Sequence, residues 1–456
     1  MRRRENGSLY GVLFVLVLIV GGAFYVYNSL MFEREVPAIS LESDGYWNLK
    51  DPLKLSIQDR SGLKSYRVVL KSSSGDTVLY HEQFMEAKNI VDIKIESPKS
   101  AYTMKDKDIT IIVEALDASK WNFFQGNATQ KEYSIKIDKK RPLINIIANS
   151  YKISKGGAAL VVFKIEDENL KDFYIETNFD KKFKAQPFYK EGYYIALIAW
   201  PITEANFKAT VVAQDYAKNS TQVYIPLYLR EKIYKVSNIK LSDSFLQGKI
   251  AELAEEFEET QGVTDSIEQF KLINETVRLK NEKLIHEITS KVPQKMIQDF
   301  HINSMYPLKN GAVVAHYGDH RIYSYNDKEI SESYHMGLDL ASNAQAEIIP
   351  QNGGEVVFAE YNGLYGNMPI LSHGLGLYTL YGHCSSIAVN SGDVIADSSH
   401  LANTGKSGYA MGDHLHFGVL VQGIEVHPAE WMDNDWMRLN ISDVIKSAKD
   451  IIDKKI

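Results

Sequence analysis

Cysteine is nearly absent. Cys384 is the only one in 456 residues, which excludes a disulfide within the chain. It directly follows His383, yet adjacent residues on a strand point to opposite faces, so Cys384 reads as a core side chain rather than half of a Cys–His nucleophile. A strong charge of either sign is absent too. The 51 Lys and Arg stand against 58 Asp and Glu, a net charge of -7, which gives no support for nucleic-acid binding. The H-E-x-x-H signature is also missing. The nearest approach, His286-Glu287, runs on to Ser290 where a second His would stand, so that helix-borne arrangement of metal ligands is excluded. With 45% hydrophobic residues the composition is that of an ordinary globular protein, and the length suggests about three domains.

Long apolar runs are scarce, and the exception lies at the N-terminus. Leu9 to Leu30 is 22 residues without a charge, and as a helix it spans about 33 Å, enough for the hydrocarbon core of a bilayer. Arg2, Arg3 and Arg4 precede it, which argues for a cytoplasmic N-terminus. Tyr10, Tyr25 and Tyr27 suit the membrane interfaces. The competing reading is a cleaved signal peptide, with Val12–Val20 as its apolar core and Gly21-Gly22-Ala23 supplying small residues. The apolar run is longer than that requires, so we expect an uncleaved anchor over residues 1–32. The rest of the chain is then extracytoplasmic, and periplasmic if the source is Gram-negative.

Residues 37 to about 230 read as all-β, with alternations such as Leu53, Leu55, Ile57 punctuated by Gly, Asn and Asp. The segment repeats itself. Ser56–Tyr66 resembles Lys164–Phe173, and Ile112–Asp117 resembles Val211–Asp215, a period of roughly 100 residues. That is the size of one β-sandwich, and we expect two immunoglobulin-like sandwiches at 37–140 and 141–230. Neither carries a catalytic constellation, so spacer or binding roles are the default. Residues 231–300 read as a helical linker, with one helix from about Asp243 to Glu259. In a second, Asp265 and Glu268 have capping-box spacing and Phe270, Ile273, Val277, Leu284 and Ile288 form a stripe. Such helices either space the next domain from the membrane or fold back over its cleft. No extra His or Cys in them is placed to occupy a metal's open position, which favours the spacer. A short amphipathic helix, Ser442 to Asp453, closes the chain.

The chemistry concentrates in residues 301–440. Tyr334-His335-Met336-Gly337-Leu338-Asp339-Leu340 and Gly412-Asp413-His414-Leu415-His416-Phe417 flank Leu380-Tyr381-Gly382-His383. Read as strands, the first two alternate polar and apolar residues, so two neighbouring strands aim His335, Asp339, His414 and His416 into one cleft. Two imidazoles and a carboxylate are a common ligand set for a catalytic zinc, leaving one position for water. Singly, each motif occurs by chance; together within about 80 residues they point to a metal site. His301, His316, His320, His400 and His427 read as surface or supporting residues. His373 sits in a sequence that equally suits a tight turn. Arg321 suits a substrate carboxylate or a structural ion pair.

The segment from about Pro307 to Trp436 resembles the lysostaphin-type, or LytM-like, family of zinc peptidoglycan endopeptidases. The resemblance runs through Ala315–Arg321, His335–Asp339, Tyr365–Asn367, Ser372–Tyr378, Tyr381–His383, Asn390–Val394, Thr404–Ser407 and Gly412–Phe417. It covers a little over a quarter of the chain. It implies an antiparallel β peptidase domain holding one Zn2+, with His335, Asp339 and His416 as ligands and His383 and His414 as the catalytic, non-ligand histidines. Which of these two serves as base is left open. Gly418 and Met411 depart from residues frequent in relatives, and neither position is a ligand. The resemblance implies a membrane-anchored zinc metalloendopeptidase cutting peptidoglycan peptide cross-links. The alternative is a LytM-like regulator, without chemistry of its own, that activates another wall hydrolase. A third reading, a wall-binding or adhesive protein working through its sandwiches, rests on no motif.

Overall fold

The computed structural model describes residues 6–99 and 106–454. Arg2, Arg3 and Arg4, on which the expected orientation rests, lie outside the described residues. The chain is mainly β and divides into two compact units. One holds residues up to 142 with 167–171 and 214–220; the other holds 143–166, 172–213 and 221 onward.

The first unit begins with the apolar helix, Asn6–Asn28. Its residues Leu9–Asn28 have the length and composition to cross a membrane, and none is buried against the protein. The helix ends two residues short of the expected Leu30. Asn28 turns its side-chain amide back to the Phe24 carbonyl at 2.9 Å, and Ser29 caps a separate 3-10 turn, Leu30–Phe32. Beyond it one six-stranded sheet is built around Leu53–Ser72, which pairs antiparallel with Ala38–Glu42, Gly75–Ile95 and Asp108–Asp117. Leu53, Leu55 and Ile57 are buried as their alternation predicts, joined by Val68, Leu70, Ile111 and Val113. The internal repeat appears as one hydrogen-bond clasp used twice. Asp117 is fully buried and accepts from the Asn127 backbone and side-chain N–H groups, each at 2.7 Å. Asp215 is equally buried and accepts from the two N–H groups of Asn219, each at 2.8 Å. A buried carboxylate is tolerated only when its lone pairs are met in this way.

Residues 143–224 form two four-stranded sheets, one centred on Ala158–Glu166 and Tyr193–Ala199, the other on Leu170–Thr177 and Ala209–Asp215. In the second unit the C-terminal segment forms an eight-stranded sheet. Its centre is Leu415–Val421, which pairs antiparallel with Leu338–Ala341 on one side and Leu377–Gly382 on the other. All seven residues of that strand are buried, as expected for a strand covered on both faces.

The helices of residues 243–289 share a core with this sheet. Leu246, Ile250, Leu253, Phe270, Ile273, Val277 and Ile285 pack with Leu364, Met368, Ile370, Leu380 and Leu420. Val236–Lys240, just before them, runs parallel to His320–Tyr325 as an added strand. The expected cap holds, since Asp265 Oδ1 accepts from the N–H groups of Ile267 and Glu268 at 3.0 and 2.8 Å. The expected stripe slips. Leu284 is 39% exposed and Ile285 takes its place in the core. The cause is a π-helical stretch, Leu272–Val277, whose wider turn inserts a residue and rotates the helix beyond it. The last helix, Asp443–Ile452, buries Val444, Ile445, Ala448 and Ile452.

Candidate metal centre

The central strand sets the geometry. Its register places Asp339 opposite His416 on one side and Gly382 opposite His416 on the other. His383 therefore emerges one residue beyond the strand end, beside the pair. His335 is not part of the Leu338–Ala341 strand, contrary to the single-strand reading. The preceding strand stops at Tyr334 and the chain bends through His335–Gly337. The bend is held by His335 N–H to the Asp319 carbonyl at 3.0 Å and Gly318 N–H to the His335 carbonyl at 2.7 Å. Gly337 lets the bend close, for a β-carbon there would lie 2.4 Å from His416 Nε2.

His335, Asp339 and His416 are brought together, all buried, with their ligand atoms within 4.8 Å of one another. Asp339 Oδ1 lies 3.0 Å from His335 Nε2 and 2.9 Å from His416 Nδ1, and the two nitrogens are 3.2 Å apart. His335 Nδ1 faces the His316 carbonyl at 2.9 Å. A carbonyl only accepts, so Nδ1 carries the hydrogen and neutral His335 turns a bare lone pair inward. Lone pairs of two imidazoles and a carboxylate converging on one point suit a divalent cation, and the set fits zinc. Burial pushes the Asp339 carboxyl up, but the bonds to His335 and His416 outweigh it and hold it well below the usual carboxylate range. Burial lowers His416, with Asp339 acting in the opposite sense. Both biases keep the ligands in their metal-binding forms.

His383 and His414 stand next to this triad with ring centroids 4.8 Å apart. His383 Nδ1 donates to the Ser407 carbonyl at 2.9 Å and His414 Nδ1 to the Gly412 carbonyl at 2.8 Å, so in the neutral state each presents a bare Nε2. Their surroundings differ. His383 is buried, and burial, followed by the neighbouring His416 and His414, pulls its pKa down to about 3. His414 Nε2 lies 3.7 Å from Asp339 Oδ2. His383 also holds a left-handed backbone, φ 65°, which is uncommon for a side chain of this size. Cys384 is fully buried with its thiol on the Tyr381 carbonyl, and burial pushes it up to about 12, so it is no nucleophile.

These five residues line a cleft of about 620 Å³. The other histidines do not line it. His373 is bonded to the Gly353 carbonyl and Thr379, His320 stacks on Tyr334 and meets Glu332, and His427 caps the short helix Pro428–Met432. Arg321 lines the cleft and lies 3.5 Å from Asp319, so the ion pair and the cleft position coexist. Residues absent from the sequence reading also form the walls: Lys240 from the added strand, Phe245 and Arg278 from the helical segment, and Tyr409. Nothing in their spacing relates them to the histidine motifs. The cleft's charged lining is Lys240, Arg278 and Arg321 with Asp339 and Asp413, and each cation has a carboxylate partner, Asp327 at 3.2 Å, Glu282 at 4.0 Å and Asp319 at 3.5 Å in turn.

Residues 333–428 match Peptidase family M23. Among curated proteins, the chain is similar to stage II sporulation protein Q of Bacillus subtilis, 28% identical over 25% of this chain and 40% of that protein. It is similar to DD-carboxypeptidase/endopeptidase Mpg of Neisseria gonorrhoeae, 30% identical over 21% of this chain and 22% of that one. Peptidoglycan DD-endopeptidase ShyA of Vibrio cholerae is 29% identical over 20% and 22%. The chain thus spans less than half the length of each. Among solved structures, the catalytic domain of lysostaphin from Staphylococcus simulans is 23% identical with a TM-score of 0.23, covering 27% of this chain and 92% of that one. A zinc-containing peptidase from Vibrio cholerae is 12% identical with a TM-score of 0.27, covering 72% and 82%.

Proposed function

From the Peptidase family M23 domain carried by residues 333–428, we propose a membrane-anchored zinc metalloendopeptidase that hydrolyses peptide cross-links of peptidoglycan. The observation that carries this reading is the convergence of His335, Asp339 and His416 with two further histidines in one cleft. His335 Nε2, Asp339 and His416 Nδ1 are the proposed ligands. Bound there, zinc supplies a Lewis acid that acidifies a water and polarises a carbonyl. His414 is the residue we assign to take up the proton, because Asp339 lies beside it to support the resulting charge. His383, disfavoured from charging by burial, offers its neutral Nε2 as an acceptor that orients the water.

The domain plan that goes with this function keeps residues 1–32 as tail and anchor, 37–140 and 141–230 as immunoglobulin-like spacers, 231–300 as helices, 301–440 as the peptidase and 441–456 as a terminal helix. The N-terminus is cytoplasmic and the peptidase extracytoplasmic. The second reading, a non-catalytic regulator, draws on the similarity to stage II sporulation protein Q, whose structure is solved in the SpoIIQ-SpoIIIAH pore-forming complex. The full set of ligand and catalytic histidines weighs against it. The deciding experiment is metal analysis of the protein from residue 33 onward, with chromatography of the fragments it releases from isolated sacculi. One zinc per chain and new cross-link-cleaved muropeptides are expected. Intact sacculi in the presence of zinc-loaded protein would favour the regulator.

A further inference from the structure

The chain just beyond the apolar helix is tied to a distant turn. The Lys120 N–H donates to the Met31 carbonyl at 2.7 Å. The Ser119 hydroxyl and the Asn127 side-chain amide both donate to the Glu33 carbonyl, at 2.7 and 3.0 Å. Between these anchors the chain makes a tight turn, closed by Gly126 N–H to the Trp121 carbonyl at 3.2 Å. Asn122, Phe123 and Phe124 all take left-handed φ, at 53°, 56° and 68°. The turn holds three aromatic side chains in four residues and turns them outward: Trp121 is 40% exposed, Phe123 92% and Phe124 72%.

The neighbours of these rings indicate what covers them. Met31 is three residues past the end of the helix at Asn28. The Arg34 guanidinium sits 4.1 Å from the Tyr27 ring in the helix's last turn and 5.5 Å from the Trp121 ring. Tyr, Trp and Arg side chains gathered where an apolar helix leaves the bilayer are the composition of a membrane interface, with rings at the headgroup level and the cation reaching the phosphates. Two Phe rings presented beside them match the apolar side chains with which interfacial segments enter the headgroup–acyl boundary. A left-handed turn that points two bulky rings into water gains nothing by it; the same turn against lipid buries both.

We propose that Trp121, Phe123 and Phe124 form a second membrane contact, dipping into the interface of the bilayer that Asn6–Asn28 crosses. This rests on the anchor reading above. The helix alone leaves the first folded unit free to pivot; a contact tied to Met31 and Glu33 holds it at a set angle to the membrane.

The test uses the distribution of tryptophan. Of the five, Trp47, Trp200, Trp431 and Trp436 are 2%, 0%, 0% and 8% exposed, so only Trp121 is open to a contact quencher. The full chain is reconstituted into phosphatidylcholine vesicles with or without bromine near the carbonyl end of the acyl chains. Bromine is expected to remove Trp121's share of the emission, about one fifth if the five emit equally. That loss should vanish in Trp121→Phe and shrink at least twofold in the Phe123→Ser/Phe124→Ser pair, while both variants stay with the vesicles through alkaline washing. Alkali-resistant protein without bromine quenching overturns the proposal and leaves the anchor intact, as does quenching that survives Trp121→Phe. Release of the wild-type chain by alkali overturns the anchor and the contact together.

Discussion

Gly337 shows how a single position can shape the candidate metal site without supplying a ligand. A β-carbon there would stand 2.4 Å from His416 Nε2 and 2.9 Å from the Phe417 carbonyl oxygen, so Gly337→Ala must push the imidazole aside and shift the Phe417 backbone with it. We expect zinc affinity to fall about 10- to 100-fold, the range for lost support of a ligand, with the fold intact by circular dichroism. Replacing His335, Asp339 or His416 itself with Ala should abolish stoichiometric zinc, since each removes one of three protein ligands; retained zinc in all three would refute the assignment. His383→Ala and His414→Ala should keep zinc and lower kcat by about 10²–10⁴-fold. The ligand candidates were legible because H-x-x-x-D and H-x-H carry their register within a few residues. The bend at His335–Gly337 was not, because it depends on hydrogen bonds to Asp319 and Gly318, which alternation does not encode. The choice between His383 and His414 was equally hidden, since it turns on burial and on a carboxylate 75 positions away in the chain.

The helical segment shows a different limit. Its caps and its stripe were readable, but where the stripe docks was not, because an apolar face names no partner. The π-helical Leu272–Val277 also shifted the phase, exchanging Leu284 for Ile285. Docking changes the consequence of truncation. If the helices were a mere spacer, a fragment of residues 300–456 would work as fast as the longer chain. In the structure that cut strips Leu246, Ile250, Leu253, Phe270, Ile273, Val277 and Ile285 from the sheet they cover. At about 1.5–3 kcal/mol per large apolar side chain, the loss is on the order of 10 kcal/mol, as large as the stability of a typical domain. We expect the 300–456 fragment to be insoluble or molten, seen as lost near-UV dichroism and dye binding, whereas a fragment from 141 onward keeps a cooperative transition. A well-folded, active 300–456 fragment would return the helices to the role of spacer.

Across the C-terminal unit, two buried carboxyls make stability depend on pH in a direction opposite to that of most acids. Burial, outweighing Arg278, pushes Glu282 up to about 7. Burial likewise raises Glu430 to about 7, against the bond from Ala158 N–H and the charge of Lys232. In both the folded pKa lies above the unfolded value of 4.5, so the native state binds more protons. Their contribution is complete below pH 4.5 and is lost as pH rises through about 7. Each shift is worth on the order of 3 kcal/mol at most. Glu430→Gln is the cleaner probe because the charges acting on its carboxyl are those of Lys232 and Lys152, whereas Glu282 faces Arg278, His286 and a second carboxyl, Glu425. Its amide oxygen can still accept from Ala158 N–H, and the group no longer ionises. Urea titrations followed by tryptophan emission should show the variant's gain over wild type to be about 1–3 kcal/mol larger at pH 8 than at pH 5. The proposed ligand Asp339 runs the other way, held below the usual range by His335 and His416, and loses its contribution as pH falls. The two carboxyl effects therefore oppose each other. If Glu430→Gln shifts stability equally at both pH values, the carboxyl is ionised in the folded chain and its burial is matched by Lys232.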